Sequence, residues 1–213
     1  MKKPRILLAD DHSLVLEGFR RILEDQCEVV GTAGDGRALL EAASRLKPNV
    51  VLLDISMPLL NGIDATRHLK KVSPDVKVIF VTMHADPAYL NEAFKAGASG
   101  YLLKRSAGTE LIQAIQSVLG GNFYVTPLLT KGLVNSVISE APVPPTRQSI
   151  LTPRQREVLQ LVAEGKAVKE IAQLLNISPK TVEFHKAQIM EQLDLRTTAE
   201  LTKYAMAHGL TSP

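Results

Sequence analysis

Five polar residues in the first half of the chain each stand at the end of a short aliphatic run. Asp10 and Asp11 follow Ile6–Ala9, and Asp54 follows Val50–Leu53. Thr82 follows Val78–Val81, and Lys104 follows Tyr101–Leu103. In an open α/β sheet, ligands bind outside the carboxyl ends of the strands, so these side chains are expected to share one crevice. Three close carboxylates repel one another unless a cation joins them. An oxygen-rich set without His or Cys suits Mg2+, which keeps waters and accepts phosphate oxygens. Lys104 by charge and Thr82 by hydrogen bond then suit the outer oxygens of a phosphoryl group. A metal, a carboxylate nucleophile and fixed donors are the parts of an in-line phosphoryl transfer.

The elements that must position these residues can be read from period and punctuation. Arg5–Ala9, Val29–Ala33, Val50–Leu53, Val78–Val81 and Tyr101–Leu103 read as strands buried on both faces of a parallel sheet. Helix-length segments lie between them at Ser13–Glu24, Arg37–Leu46, Ala65–Val72, Pro87–Ala96 and Gly108–Leu119. Leu14, Phe19, Ile22 and Leu23 are expected on one apolar face of the first segment, and Leu111, Ile112, Ile115, Val118 and Leu119 on that of the last. Five β-then-α units predict a doubly wound α/β domain with a five-stranded, flavodoxin-like parallel sheet over residues 1–122. The glycines at 31, 34 and 36 reverse the spacing of a dinucleotide loop, and Asp35 would repel a pyrophosphate, so they read as turn residues. His12 and His84 lie near the crevice but form no i, i+4 pair; they read as solvated or helix-start residues. Cys27 reads as a small buried apolar residue.

Taken together, Ile6-Leu-Leu-Ala-Asp-Asp-His12, Asp54-Ile-Ser-Met-Pro58, Thr82 and Tyr101-Leu-Leu-Lys104 resemble the receiver domain of bacterial two-component response regulators. The resemblance implies that Asp54 is the phosphoacceptor. It implies that Asp11, Asp54 and the main-chain carbonyl of Ser56 hold Mg2+, with Asp10 assisting through water. Thr82 and Tyr101 would be a switch pair, the hydroxyl moving toward the phosphate and the ring turning inward, and Lys104 would bind a phosphate oxygen. Arg105 stands where many receivers place Pro, so that turn must be built differently.

Gly120-Gly121 ends the α/β pattern. Residues 123–148 read as a linker helix from Thr126 to about Ser139, followed by a hinge at Ala141-Pro-Val-Pro-Pro-Thr146, where Pro restricts its predecessor and lacks a donor. Residues 149–213 carry no strand signal and predict an all-α domain of four helices. Thr152-Pro153 with Gln155 makes a capping-box start, and Val158, Leu161 and Val162 form an apolar face before Gly165. Val168–Leu175 is a second helix, Ser178-Pro179 caps a third, and Glu200–Ala207 is a fourth. The short turn between the second and third matches a helix-turn-helix.

If Val182, Ile189 and Leu193 face the core, then Lys180, Glu183, Phe184, Ala187 and Gln188 project the other way. That face is expected in the major groove, with Lys180 on phosphate or guanine, Glu183 on a cytosine amine and Phe184 on a thymine methyl. Thr181 and Lys186 would flank it on phosphates. Leu151–Leu159, Glu164-Gly-Lys166, Lys169–Ala172 and Ile177–His185 resemble the LuxR-type helix-turn-helix, and end to end the chain is similar to the NarL/FixJ family of response regulators. The family implies a phosphorylation-switched transcriptional regulator, not an enzyme acting on other substrates. Its partners would be a sensor histidine kinase, inverted-repeat double-stranded DNA and, when active, a second copy of the chain. Val168 and Gln192 depart from residues common in the family.

Composition sets limits on these expectations. The 213 residues are 45% hydrophobic and 22% charged, enough for packed cores. The net charge of +3 does not by itself argue nucleic acid. One cysteine excludes an internal disulfide and a Cys-based zinc cluster. The apolar run before Asp10 is too short for a signal-peptide core, so a cytoplasmic location is expected, without membrane association. An aspartyl-phosphate phosphatase fits the carboxylates but not the adjacency of Asp10 and Asp11 or the lack of a cap insertion. A protein-binding adaptor would differ from a DNA binder in lacking salt-weakened DNA affinity.

Overall fold

A computed structural model describes residues 3–129 and 151–211. The strands are β1 (Arg5–Ala9), β2 (Glu28–Ala33), β3 (Val50–Leu53), β4 (Lys77–Thr82), β5 (Gly100–Leu103) and β6 (Tyr124–Val125). They alternate with α1 (Ser13–Leu23), α2 (Gly36–Leu46), α3 (Gly62–Val72), α4 (Pro87–Lys95) and α5 (Ala107–Leu119). The C-terminal helices are α6 (Pro153–Ala163), α7 (Val168–Leu175), α8 (Pro179–Leu193) and α9 (Thr198–Ala207). The sheet order is β2-β1-β3-β4-β5-β6, and every pairing is parallel. Burying β3 and β5 on both faces explains their unbroken apolar sequences.

The sixth strand corrects the five-stranded expectation. Tyr124 and Val125 pair with Gly100 and Tyr101 after the Gly120-Gly121 turn brings the chain back along the sheet edge. Two residues are too few to give a period. Helix α3 begins three residues before the expected start, because the Asn61 side chain accepts from Asp64 N and caps it. Leu14 is 84% exposed and does not belong to the buried face of α1. Val15, Phe19, Ile22 and Leu23 carry that face instead, at the i, i+4, i+7, i+8 spacing. Leu119 is likewise exposed at the end of α5.

Two apolar cores cover the faces of the sheet. One gathers Leu7, Val51, Leu53, Phe80 and Tyr101 with α2, α3 and α4; the other gathers Ile6, Leu8, Leu52, Val81 and Leu102 with α1 and α5, and includes Cys27. A third core unites the C-terminal helices around Val158, Leu161, Ile171, Val182, Ile189 and Leu201. Capping boxes at Thr152–Gln155 and Thr197–Glu200, and left-handed Asn176 after α7, set the helix limits. Leu193 is half-buried, while Val182 and Ile189 are fully inside. Of the expected linker, only residues up to Leu129 fall within the description; the rest of the linker helix and the Pro-rich hinge lie outside the described residues.

Candidate functional site

Strand register builds the crevice. Ala9 pairs with Leu53, so Asp10 and Asp54 leave neighbouring strands side by side. Thr82 ends β4 opposite Leu103, and Lys104 follows at once. Asp10, Asp54 and Thr82 are all buried. The Lys104 ammonium lies between the two carboxylates, 2.6 Å from Asp54 Oδ2 and 2.8 Å from Asp10 Oδ2. Burial opposes the lysine's charge, but the hydrogen bonds and charges of Asp10 and Asp54 outweigh it, and its pKa is raised. The other Asp54 oxygen accepts from Ile55 N at 2.6 Å. Lys104–Ser106 forms a 3-10 turn, which is how the chain enters α5 with Arg105 in place of Pro.

Asp11 is more exposed. The His12 ring Nδ1 lies 2.9 Å from its carboxylate and 3.1 Å from that of Asp10. His12 is the N-cap residue of α1, as its sequence position predicts, but its ring is engaged by both carboxylates. Ligand atoms of Asp10, Asp11 and His12 fall within 4.8 Å of one another, whereas Asp54 is held by Lys104 and stands apart from that group. Charge and donor chemistry both suit a hard cation beside Asp10 and Asp11.

Thr82 Oγ1 accepts from His84 N at 3.3 Å, and the Tyr101 hydroxyl donates to His84 O at 2.8 Å. The Tyr101 ring is fully buried, so in this structure it already points inward. Burial pushes its hydroxyl pKa well up and keeps it a donor. His84 departs from the solvated reading: its Nε2 meets Ser56 Oγ at 2.9 Å and its ring stacks on Tyr89 at 4.3 Å. Burial lowers its pKa.

The glycines serve close approach. A Cβ on Gly36 would fall 2.0 Å from Leu60 O, and one on Gly62 would fall 2.0 Å from Asp54 O. Asp35 caps α2 through Arg37 N and Ala38 N, which confirms a turn and helix start rather than a phosphate loop.

The loop from Met57 to Asn61, just after Asp54, meets the C-terminal helices. Gln160 Nε2 donates to Met57 O at 2.9 Å, and its Oε1 accepts from Asn61 N at 2.8 Å. Leu59 N donates to Glu164 at 3.0 Å, and the Leu59 side chain packs against the third core. Arg156 holds Asp64 through Nε and through NH2 at 2.8 Å. Burial opposes the Asp64 charge, but Arg156, Asn61 and Arg67 outweigh it and lower its pKa. Glu157 meets His68 at 2.8 Å. These residues escape sequence reading, because Arg154–Glu157 resembles a solvated polar face.

On α8, Lys180, Glu183 and Phe184 are exposed, whereas Thr181, Lys186 and Gln188 are half-buried. Thr181 belongs to the helix start, its N–H donating to the Ser178 hydroxyl. Of the expected outward face, Lys180, Glu183, Phe184 and Ala187 are thus exposed, with Phe184 at 59%, whereas Gln188 is partly covered.

Residues 6–116 match the response regulator receiver domain, and residues 149–205 match the LuxR family of bacterial regulatory proteins. The chain is 39% identical over 212 residues to the transcriptional regulatory protein MctR of Rhizobium johnstonii, covering 99% of this chain and 96% of that one. It is 38% identical to the oxygen regulatory protein NreC of Staphylococcus carnosus, covering 97% and 98%. Its fold is similar to a solved structure of the Salmonella typhimurium RcsB response regulator, with a TM-score of 0.66, 31% identity and coverage of 97% and 98%. With the receiver crevice, the helix-turn-helix and relatives spanning both, the chain belongs to the NarL/FixJ family of two-component response regulators, built from a receiver domain and a LuxR-type DNA-binding domain.

Proposed function

We propose that Asp54 is the phosphoacceptor, and that its phosphorylation by a sensor histidine kinase controls DNA binding by α8. The observation that carries this reading is the Lys104 ammonium placed between Asp54 and Asp10 at the strand ends. An Asp54 oxygen attacks the donor phosphorus; the O–P bond forms as the N–P bond to the kinase histidine breaks, and the imidazole leaves with the electron pair and takes a proton from water. Lys104 is placed to shift from the carboxylate to an oxygen of the transferred group. Asp10, Asp11, Asp54 and the Ser56 carbonyl would hold Mg2+, whose charge offsets that of the entering phosphate. Thr82 and Tyr101, joined through the backbone of His84, are placed to couple the phosphate to α4 and β5. The chain turns over no other substrate in this reading.

Lys180, Glu183, Phe184 and Gln188 would meet base edges, with Thr181 and Lys186 on phosphates. One such domain offers few phosphate contacts, so two copies on an inverted repeat would be needed for firm binding. The reading divides the chain into a receiver (1–122), a linker and hinge (123–148) and a DNA-binding domain (149–213), acting in the cytoplasm. Among the described residues no helix is long and apolar enough to cross a membrane.

The test is mass spectrometry after incubation with acetyl phosphate. The natural chain should gain one phosphate only with Mg2+, and Asp54→Asn none. A stoichiometric, Mg2+-dependent gain in Asp54→Asn overturns the assignment.

A further inference from the structure

We propose, on the phosphoacceptor reading above, that Arg105 is a specificity-determining residue for the phosphoryl donor: it receives the carboxylate that leaves a small acyl phosphate. An opening beside Asp54, so far without a role, supports this. It is lined by Thr82, Met83, Ala85, Leu103, Lys104 and Arg105 and has a volume of about 70 Å3. One enclosed water needs roughly 10–15 Å3, so a group of a few heavy atoms fits.

Two of these residues put the opening at the reacting centre. Lys104 Nζ lies 2.6 Å from Asp54 Oδ2, and Thr82 pairs with Leu103, the residue before that lysine. A donor whose phosphoryl group rests on Lys104 and Thr82 therefore has the opening next to it. The rest of the wall divides by chemistry. Met83, Ala85 and Leu103 are apolar, and Arg105 is a cation. An acetyl group divides in the same way, into a methyl and an oxygen that becomes anionic as it leaves.

The two basic residues of the Lys104–Ser106 turn differ in what they hold. The Lys104 ammonium is shared by Asp10 and Asp54. Arg105 is exposed, and its guanidinium makes no hydrogen bond or ion pair with any described residue. A guanidinium offers N–H donors in a planar fork that matches both oxygens of a carboxylate.

The match grows during the reaction. An Asp54 oxygen attacks the phosphorus of the acyl phosphate. The Asp54 O–P bond forms as the bond from phosphorus to the acyl oxygen breaks, and the carboxylate leaves with the electron pair and needs no proton. Negative charge on the leaving group therefore rises toward the transition state, and only an interaction stronger there than in the ground state speeds the step. A phosphoramide donor departs as a neutral amine once it has taken a proton. It gives the guanidinium no charge to hold, so Arg105 discriminates between the two donor classes.

The experiment follows Mg2+-dependent phosphate uptake by mass in the full chain, from acetyl phosphate, carbamoyl phosphate and phosphoramidate. The first two release a carboxylate and the third releases ammonia. Arg105→Gln removes the charge, Arg105→Lys keeps it without the fork, and circular dichroism checks the fold. In Arg105→Gln the ratio of each acyl phosphate rate to the phosphoramidate rate is expected to fall about 10-fold, which is about 1.4 kcal/mol of barrier. Arg105→Lys should recover part of that ratio. Most of the fall should persist at about 0.5 M NaCl, where charges more than roughly 5 Å apart are screened. An unchanged ratio in Arg105→Gln overturns the proposal. So does a fall that vanishes in salt, since the charge then acts only at a distance, or a fall confined to one of the two acyl phosphates. A natural chain that takes up no phosphate from any of the three donors overturns the phosphoacceptor reading instead.

Discussion

The Lys104 ammonium is shared by two buried carboxylates, and that has a measurable consequence. Asp10 and Asp54 are nearly inaccessible to water, and both their Oδ2 atoms rest on its ammonium. Removing one partner from a buried ion pair leaves the other charge uncompensated, at a cost on the order of 3 kcal/mol. Lys104→Ala is expected to lower stability to urea at neutral pH by about that amount in the presence of a chelator. Mg2+ should return part of the loss, because it brings charge to the same carboxylates. Equal losses with and without Mg2+ would show that the carboxylates share no cation site. At this scale the sequence was most legible: Asp10, Asp54, Thr82 and Lys104 stand at strand ends, and parallel register forces strand ends together. The His12 and His84 ring contacts were not legible, since each depends on where a loop folds back.

Helix α8 separates folding from reading on two sides of one cylinder. Ile189 is fully buried and Phe184 is 59% exposed. Ile189→Ala is expected to destabilise the C-terminal domain by about 2–5 kcal/mol through lost burial and a cavity. Phe184→Ala should change stability by no more than about 0.5 kcal/mol, yet weaken binding to DNA selected by the natural protein. Chemical denaturation and gel-shift titration give the two readouts. A Phe184→Ala protein with unchanged affinity and sequence preference would remove that ring from the reading face. Helices with a capping residue and a clear apolar stripe were readable to within a residue or two, as Thr152-Pro153 and Ser178-Pro179 show. The start of α3 was missed because its cap, Asn61, lies among residues that looked like loop. The two-residue β6 was missed because pairing with β5, not its own pattern, makes it a strand.

The way the two domains meet was illegible for a physical reason. It is made by polar pairs such as Asp64 with Arg156 and Asn61 with Gln160, each side of which alone reads as a solvated surface. Their buried charges also give docking a pH dependence whose sign can be worked out. For Asp64, burial raises the pKa but the Arg156 bonds outweigh it, so the docked value is depressed. Its contribution is complete above the ordinary carboxylate range, near pH 4, and is lost as pH falls through the depressed value. The Arg67 and Asn61 contacts lie within the receiver, so only the Arg156 share depends on docking. Glu164 is the opposite case, because burial between the domains raises its pKa. Protonation of Glu164 therefore favours the docked state as pH falls through that raised value toward the ordinary range. Docking is thus expected to be tightest in weakly acidic solution and to loosen on both sides, toward alkaline pH gradually and toward strong acid as Asp64 takes up its proton. Energy transfer between dyes on the two domains, followed from pH 8 to pH 3, measures this directly. A steady loosening from neutral pH downward would contradict the assigned signs, and Glu164→Gln should flatten the weakly acidic rise while leaving the loss in strong acid in place.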